Sequence, residues 1–115
     1  MGQGSTMDTM DSIASTPSPP YTAVIFTSVG STDSDGYAAT AERMFELAKQ
    51  QPGYLGAESA RETIGITVSY WATEDDARAW KRVVEHAEAQ RLGRERWYEQ
   101  YTVRVATVTR EYGTA

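Results

Sequence analysis

His86 is the only histidine in a chain of 115 residues that contains no cysteine. An imidazole that titrates near pH 6.5 can take a proton from a carbon acid or a phenol at neutral pH, which makes His86 the candidate general base. Its alternative role is structural: a histidine near a helix end, bonded to backbone or to a carboxylate. Flat side chains stand on both sides of it in sequence, Tyr70, Trp71 and Trp80 before and Trp97, Tyr98 and Tyr101 after. Such rings can line a cavity for a flat substrate, with a phenol orienting a carbonyl or hydroxyl. Rings at strand and helix periods also build cores and interfaces. Trp71, Trp80, Trp97, Tyr98 and Tyr101 are the candidate substrate-binding residues. Arg91, Arg94 and Arg96 can present a guanidinium to a carboxylate or an enolate, or pair with Glu88, Glu95 and Glu99 across a solvated turn. Arg104 leaves a strand sideways, and if buried it needs a carboxylate such as Glu58.

Other chemistries lack their residues. Zinc and non-heme iron sites generally draw on two or three imidazoles, and one is present, so no metal site is expected. The acids Glu74, Asp75 and Asp76 can contact a hard cation, but at a helix start they serve as caps. Without cysteine there is no disulfide, iron-sulfur cluster or thiol nucleophile, which suits a reducing cytoplasm. No phosphate-binding or dinucleotide fingerprint occurs, and "GYLG" is two glycines at a turn. The net charge of -5 leaves no basic face for nucleic acid. No apolar run approaches the roughly 20 residues of a membrane span, so neither nucleic acid nor membrane is an expected partner.

These side chains need a frame. At 115 residues the chain predicts one domain, burying roughly two thirds of its unfolded surface. Residues 1–20, "MGQGSTMDTMDSIASTPSPP", offer Ile13 as their one large branched apolar side chain and predict a disordered segment without the basic start and apolar centre of a secretory signal. The folded domain is expected over 21–115. "YTAVIFTSV" from Tyr21 is apolar on both faces, as in a sheet covered on both sides. "GSTDSDG" breaks it. A helix follows with Tyr37, Ala41, Met44, Phe45 and Ala48 inward, ended by "QQPG". Residues 54–62 and 64–71 read as a hairpin. Thr73 and Asp76 fit a capping box, opening a helix with Ala77, Trp80, Val84 and Ala87 inward, stopped at Gly93. "YTVRVATVTREY" from Tyr101 is the last strand. The order βαββαβ is that of an α+β ferredoxin-like fold: a four-stranded antiparallel sheet with two helices on one face. The bare opposite face calls for a second copy, giving a homodimer.

The segments "YTAVIFTS", "QQPGYLGAESAR", "ITVSYWATEDDARAW" and "EHAEAQRLGRERWYEQYTVRVATVTREYG" resemble, over residues 21–113, the antibiotic biosynthesis monooxygenase superfamily. They come nearest to a small bacterial branch with a late W-Y-x-x-Y-x-x-R-V element, here Trp97, Tyr98, Tyr101, Arg104 and Val105. The resemblance implies a dimeric α+β barrel with a ligand cavity between helices and sheet. It also implies oxygenation of a small aromatic or quinol substrate without bound metal, flavin or other cofactor. Relatives that degrade heme share two tryptophans nine residues apart, matched by Trp71 and Trp80. Where they place a histidine this chain has Gln90, and it contains no asparagine to match the one on their first strand. A noncatalytic dimer that binds a small apolar ligand or serves a stress role is the other reading.

Overall fold

The computed structural model describes residues 12–30, 37–90 and 98–114, and the side chains at 30, 37–41, 87–90 and 98–99 fall outside that set. Six elements follow in the expected order: β1 (Tyr21–Gly30), α1 (Tyr37–Lys49), β2 (Tyr54–Arg61), β3 (Ile64–Trp71), α2 (Glu74–Gln90) and β4 (Tyr98–Val108). The strands form one antiparallel sheet in the order β2-β3-β1-β4. β4 begins three residues earlier than its hydropathy suggests, because Tyr98 pairs with Gly30 across a register shift at Val29/Gly30.

Local chemistry explains the boundaries. Past α1, the Gln51 side-chain amide donates to the Leu47 carbonyl at 3.0 Å, satisfying one of the helix's terminal acceptors. Gly53 follows with φ 83°, in the left-handed region, and a Cβ there would stand 2.1 Å from the Asp76 carboxylate. Both facts call for glycine. The predicted cap of α2 is present: the Asp76 amide donates to Thr73 Oγ1 at 3.1 Å, and Thr73 Oγ1 donates to Asp76 Oδ2 at 3.0 Å.

The register assigns each side chain to a face, since alternate residues of a strand point the same way. Thr22, Val24, Phe26 and Ser28 of β1 lie beside Trp71, Ser69, Thr67 and Gly65 of β3 and Thr107, Val105, Val103 and Tyr101 of β4. This is the helix side, where α1 packs on β2 and α2 on β3 and β1. The core forms where α2 leaves the sheet, from Ala48, Trp71 and Ala77 with Val24, Tyr54 and Trp80 packed around them. On β4 the same face stays exposed at Tyr101, Val103 and Val105 (46–55%).

Among the described residues, the other side carries no helix. There Tyr21, Ala23, Ile25, Thr27 and Val29 lie beside Tyr70, Val68, Ile66 and Ile64 of β3 and Ala106, Arg104, Thr102 and Gln100 of β4. Part of the segment expected to stand outside the fold runs across this face. The Ala14 amide donates to Glu58 Oε2 at 2.8 Å, the Ala14 methyl sits against Gly56, and Thr16 Oγ1 donates to Glu111 at 2.7 Å. Among the described residues, no helix is long and apolar enough to cross a membrane.

Candidate functional site on the helix side of the sheet

The two ends of the helix-side face differ in chemistry. At the α2 start, Trp71 is fully buried, and its indole N–H donates to Ser69 Oγ at 2.9 Å. Trp80 stacks on it with centroids 5.6 Å apart and planes 25° apart, and Tyr54 meets it edge-on at 5.6 Å. With its one donor satisfied and its ring enclosed, Trp71 offers a ligand no surface. The nine-residue spacing of Trp71 and Trp80 therefore builds core here.

Towards the other end the face opens. Phe26 and Tyr101 stand 5.4 Å apart with rings tilted by 31°, and Val103 and Val105 continue the apolar surface along β4. Next to the rings lies a cation. Arg61, opposite Gly65 in the β2–β3 register, lays its guanidinium across Gly65 and donates from Nη2 to the hydroxyl of Ser28, which is 2% exposed. Ser28 is the cross-strand partner of Tyr101, so the anchored end of Arg61 lies about one strand spacing, roughly 4.8 Å, from the start of the Tyr101 side chain. One row further, Ser59 and Thr67 share a hydroxyl hydrogen bond of 2.9 Å. Two rings, two valines, a guanidinium and a hydroxyl pair can hold a flat molecule by its face and an oxygen substituent by its edge.

The open face carries a second polar group of residues. Tyr70 donates to Glu58 Oε1 at 2.9 Å, Tyr21 donates to Glu111, and the two tyrosine rings meet edge-on at 5.7 Å. Burial, then the bond to Glu58, pushes the Tyr70 phenol up to about 12. The bond to Glu111 raises Tyr21, and the bonds from Tyr21 and Thr16 lower Glu111. Glu58 accepts from Tyr70 and the Ala14 amide, and Glu111 from Tyr21 and Thr16, which suits the two pairs to anchoring residues 12–16. An open depression of about 250 Å³ lies at the opposite end of the sheet, lined by Thr27, Val29, Ile64, Gln100, Thr102 and Arg104 together with Ser28 and Tyr101. That is below the roughly 300–1,000 Å³ of small-molecule pockets.

Of the sequence candidates, Tyr101 lies in this site and Trp71 and Trp80 in the core. Tyr98 opens β4, with its side chain outside the described residues, as are Trp97, Arg91, Arg94, Arg96 and Gly93. His86 is exposed on α2. It lies nine residues past the inward Ala77, about 180° round the helix, so it points away from the sheet. Arg104 is also exposed, with no acid within ion-pair distance among the described residues. The carboxylate proposed for it, Glu58, lies two strands beyond Ile25 in the same row and binds Tyr70 and Ala14 instead. No cluster of three metal-ligating side chains occurs among the described residues. Sequence reasoning passed over Phe26, Arg61 and Ser28. The available signal was Gly65, a glycine inside an alternating strand, where a neighbouring side chain can lie flat.

This sheet order, with both helices on one face, is a ferredoxin-like fold, and solved antibiotic biosynthesis monooxygenases share it. SnoaB, a cofactor-independent oxygenase from Streptomyces nogalater, superposes with a TM-score of 0.60 over 83% of this chain and 97% of its own, at 15% identity. A Nitrosomonas europaea protein classed as an antibiotic biosynthesis monooxygenase gives 0.58 over 88% and 99%, at 14% identity. No family model matches the chain. In sequence it is 54% identical over 104 residues, 89% of its length and 91% of the relative's, to the uncharacterized protein YqjZ of Bacillus subtilis. The chain belongs to the family of that protein.

Proposed function

We propose that this protein is a cofactor-independent monooxygenase acting on a small electron-rich aromatic or quinol-type molecule. The observation that carries the reading is the Phe26–Tyr101 ring pair, with Tyr101 55% exposed, on the same face of the sheet as the Arg61 guanidinium. The fold it shares with SnoaB supports it. For an anthrone-type substrate a base removes a proton from the activated CH₂ group and the carbanion passes one electron to O2. The radical pair then closes a C–O bond, and the peroxide loses water to leave a ketone. One CH₂ and one O2 become one C=O and one H2O, with the substrate supplying all four electrons. The protein's part is to hold the ring, exclude water and stabilise the anion. Tyr101 orients the substrate in this scheme. His86, the base inferred from its titration range, stands on the outer side of α2.

O2 uptake over a panel of hydroxynaphthoquinols and anthrones tests the reading. Wild type is expected to consume one O2 per ketone formed with at least one of them, and Tyr101→Ala to lose about tenfold, as for a displaced positioning group. Equal rates for His86→Ala and wild type would remove His86 from the mechanism.

One observation favours a second reading, a noncatalytic dimer that binds a small apolar ligand. The space between α2 and the sheet at the core end is filled by Trp71 and Trp80. Ligand binding without O2 uptake across the whole panel would decide for it.

A further inference from the structure

We propose that residues 12–16 are a releasable cover of the open face, one that withholds the Tyr21 end of that face from a second copy of the chain. This rests on the open face being the surface through which two copies associate, and it adds what limits that association. The two ends of the face differ in exposure: Tyr21 and Ala23 are 6% and 5% exposed, whereas Ile66 and Ile64 are 44% and 53% exposed. The chain's own N-terminal segment lies at the closed end. The Ala14 amide donates to Glu58 on β2, and the Thr16 hydroxyl donates to Glu111 beyond β4. The Ala14 methyl rests over Gly56, where a Cβ would stand 2.9 Å from it. A glycine inside a strand admits this close approach.

Weak anchoring makes the cover removable. Ile13, the one large branched apolar side chain of residues 1–20, is 89% exposed, so hydrogen bonds and a methyl group hold the segment rather than apolar burial. A partly solvated hydrogen bond returns little net stability, and fixing the backbone of each residue costs a comparable amount. The anchored state is therefore only marginally favoured. Cover and second copy exclude one another over the row of Ala23, Tyr70 and Gly56. Packed sheets lie about 10 Å apart, a gap filled by the side chains of the two inner faces, which leaves no layer for a further length of backbone. With residues 12–16 in place a second sheet reaches only the rows from Ile25 to Val29, and on their release it gains the rest.

The test pairs hydrogen exchange at the Ala14 amide with the dimer dissociation constant of the full chain, measured by sedimentation over a dilution series. In dilute wild type the amide is expected to exchange about tenfold more slowly than in a free chain. Both copies must release, so the apparent affinity carries the released fraction twice. Ala14→Pro removes the donor and leaves the face itself untouched. Gly56→Ala acts from the other side, displacing the Ala14 methyl and bringing the Ala14 amide to the free-chain rate. Each variant should dimerise at least about tenfold more tightly than wild type. A dissociation constant that is unchanged or weaker in Ala14→Pro overturns the proposal, as does a wild-type Ala14 amide that already exchanges at the free-chain rate. A wild-type dimer lost on Ile66→Lys but indifferent to Ala14→Pro leaves the open-face interface standing and removes only the cover. Monomers throughout, variants included, remove both.

Discussion

Trp71→Ala is expected to destabilise the protein by about 3–5 kcal/mol, the range for emptying a large aromatic from a core. Trp71 is the largest fully buried side chain among the described residues, stacked on Trp80 and met edge-on by Tyr54. It is also the hinge of the core, on the last residue of β3 and three residues before α2. Its removal leaves Trp80 without its stacking partner and the half of the core held by Ala48 and Ala77 without a floor. Trp80→Ala should cost less, because Trp80 is only partly buried and its truncation opens to solvent. Urea denaturation followed by far-UV circular dichroism measures both. A loss below about 1 kcal/mol for Trp71→Ala would contradict the assignment of this ring to the core.

The second large effect concerns self-association. On the open face Ile64 and Ile66 are 53% and 44% exposed, beside half-buried Ile25 and Val68. Residues 12–16 cover only the Tyr21 end. Burying each large aliphatic side chain is worth roughly 1.5–3 kcal/mol, and a two-fold axis lets one patch serve both copies. Light scattering at low micromolar concentration should give a mass near twice 12.7 kDa. Ile66→Lys should return it to the single value by placing a charge at the centre of the patch. A well-behaved monomer of the wild-type chain would show that the open face needs no second copy.

The fold was legible because its signals are local and repeated. Helix period in Phe45 and Ala48, strand alternation from Ile64 to Tyr70, and the Thr73–Asp76 cap each specify an element without reference to the rest. The site was less so, because it depends on register. Arg61 and Ser28 are 33 positions apart and meet through Gly65, and Phe26 meets Tyr101 only after β4 is aligned on β1. Residue type drew attention to tryptophans that the helix–sheet packing then absorbed. His86 was singled out by its chemistry, yet the helix phase set by Ala77 turns it outward. The segment before β1 is the same kind of case: residues 12–20 have little to bury, and what fixes Ala14 and Thr16 is the pair of carboxylates, Glu58 and Glu111, delivered from distant parts of the chain.

Where an aromatic ligand sits decides the functional reading most directly, and the two faces of the sheet carry different methyl groups. Val103 and Val105 report the helix side, and Ile64 and Ile66 the open side. In an anaerobic titration with 1,4-naphthohydroquinone, which can bind but not turn over, methyl-labelled protein should show its largest chemical-shift changes at Val103 and Val105, with Ile64 and Ile66 unmoved. Shifts confined to Ile64 and Ile66, or none at any of the four, would contradict a substrate site on the helix side of the sheet.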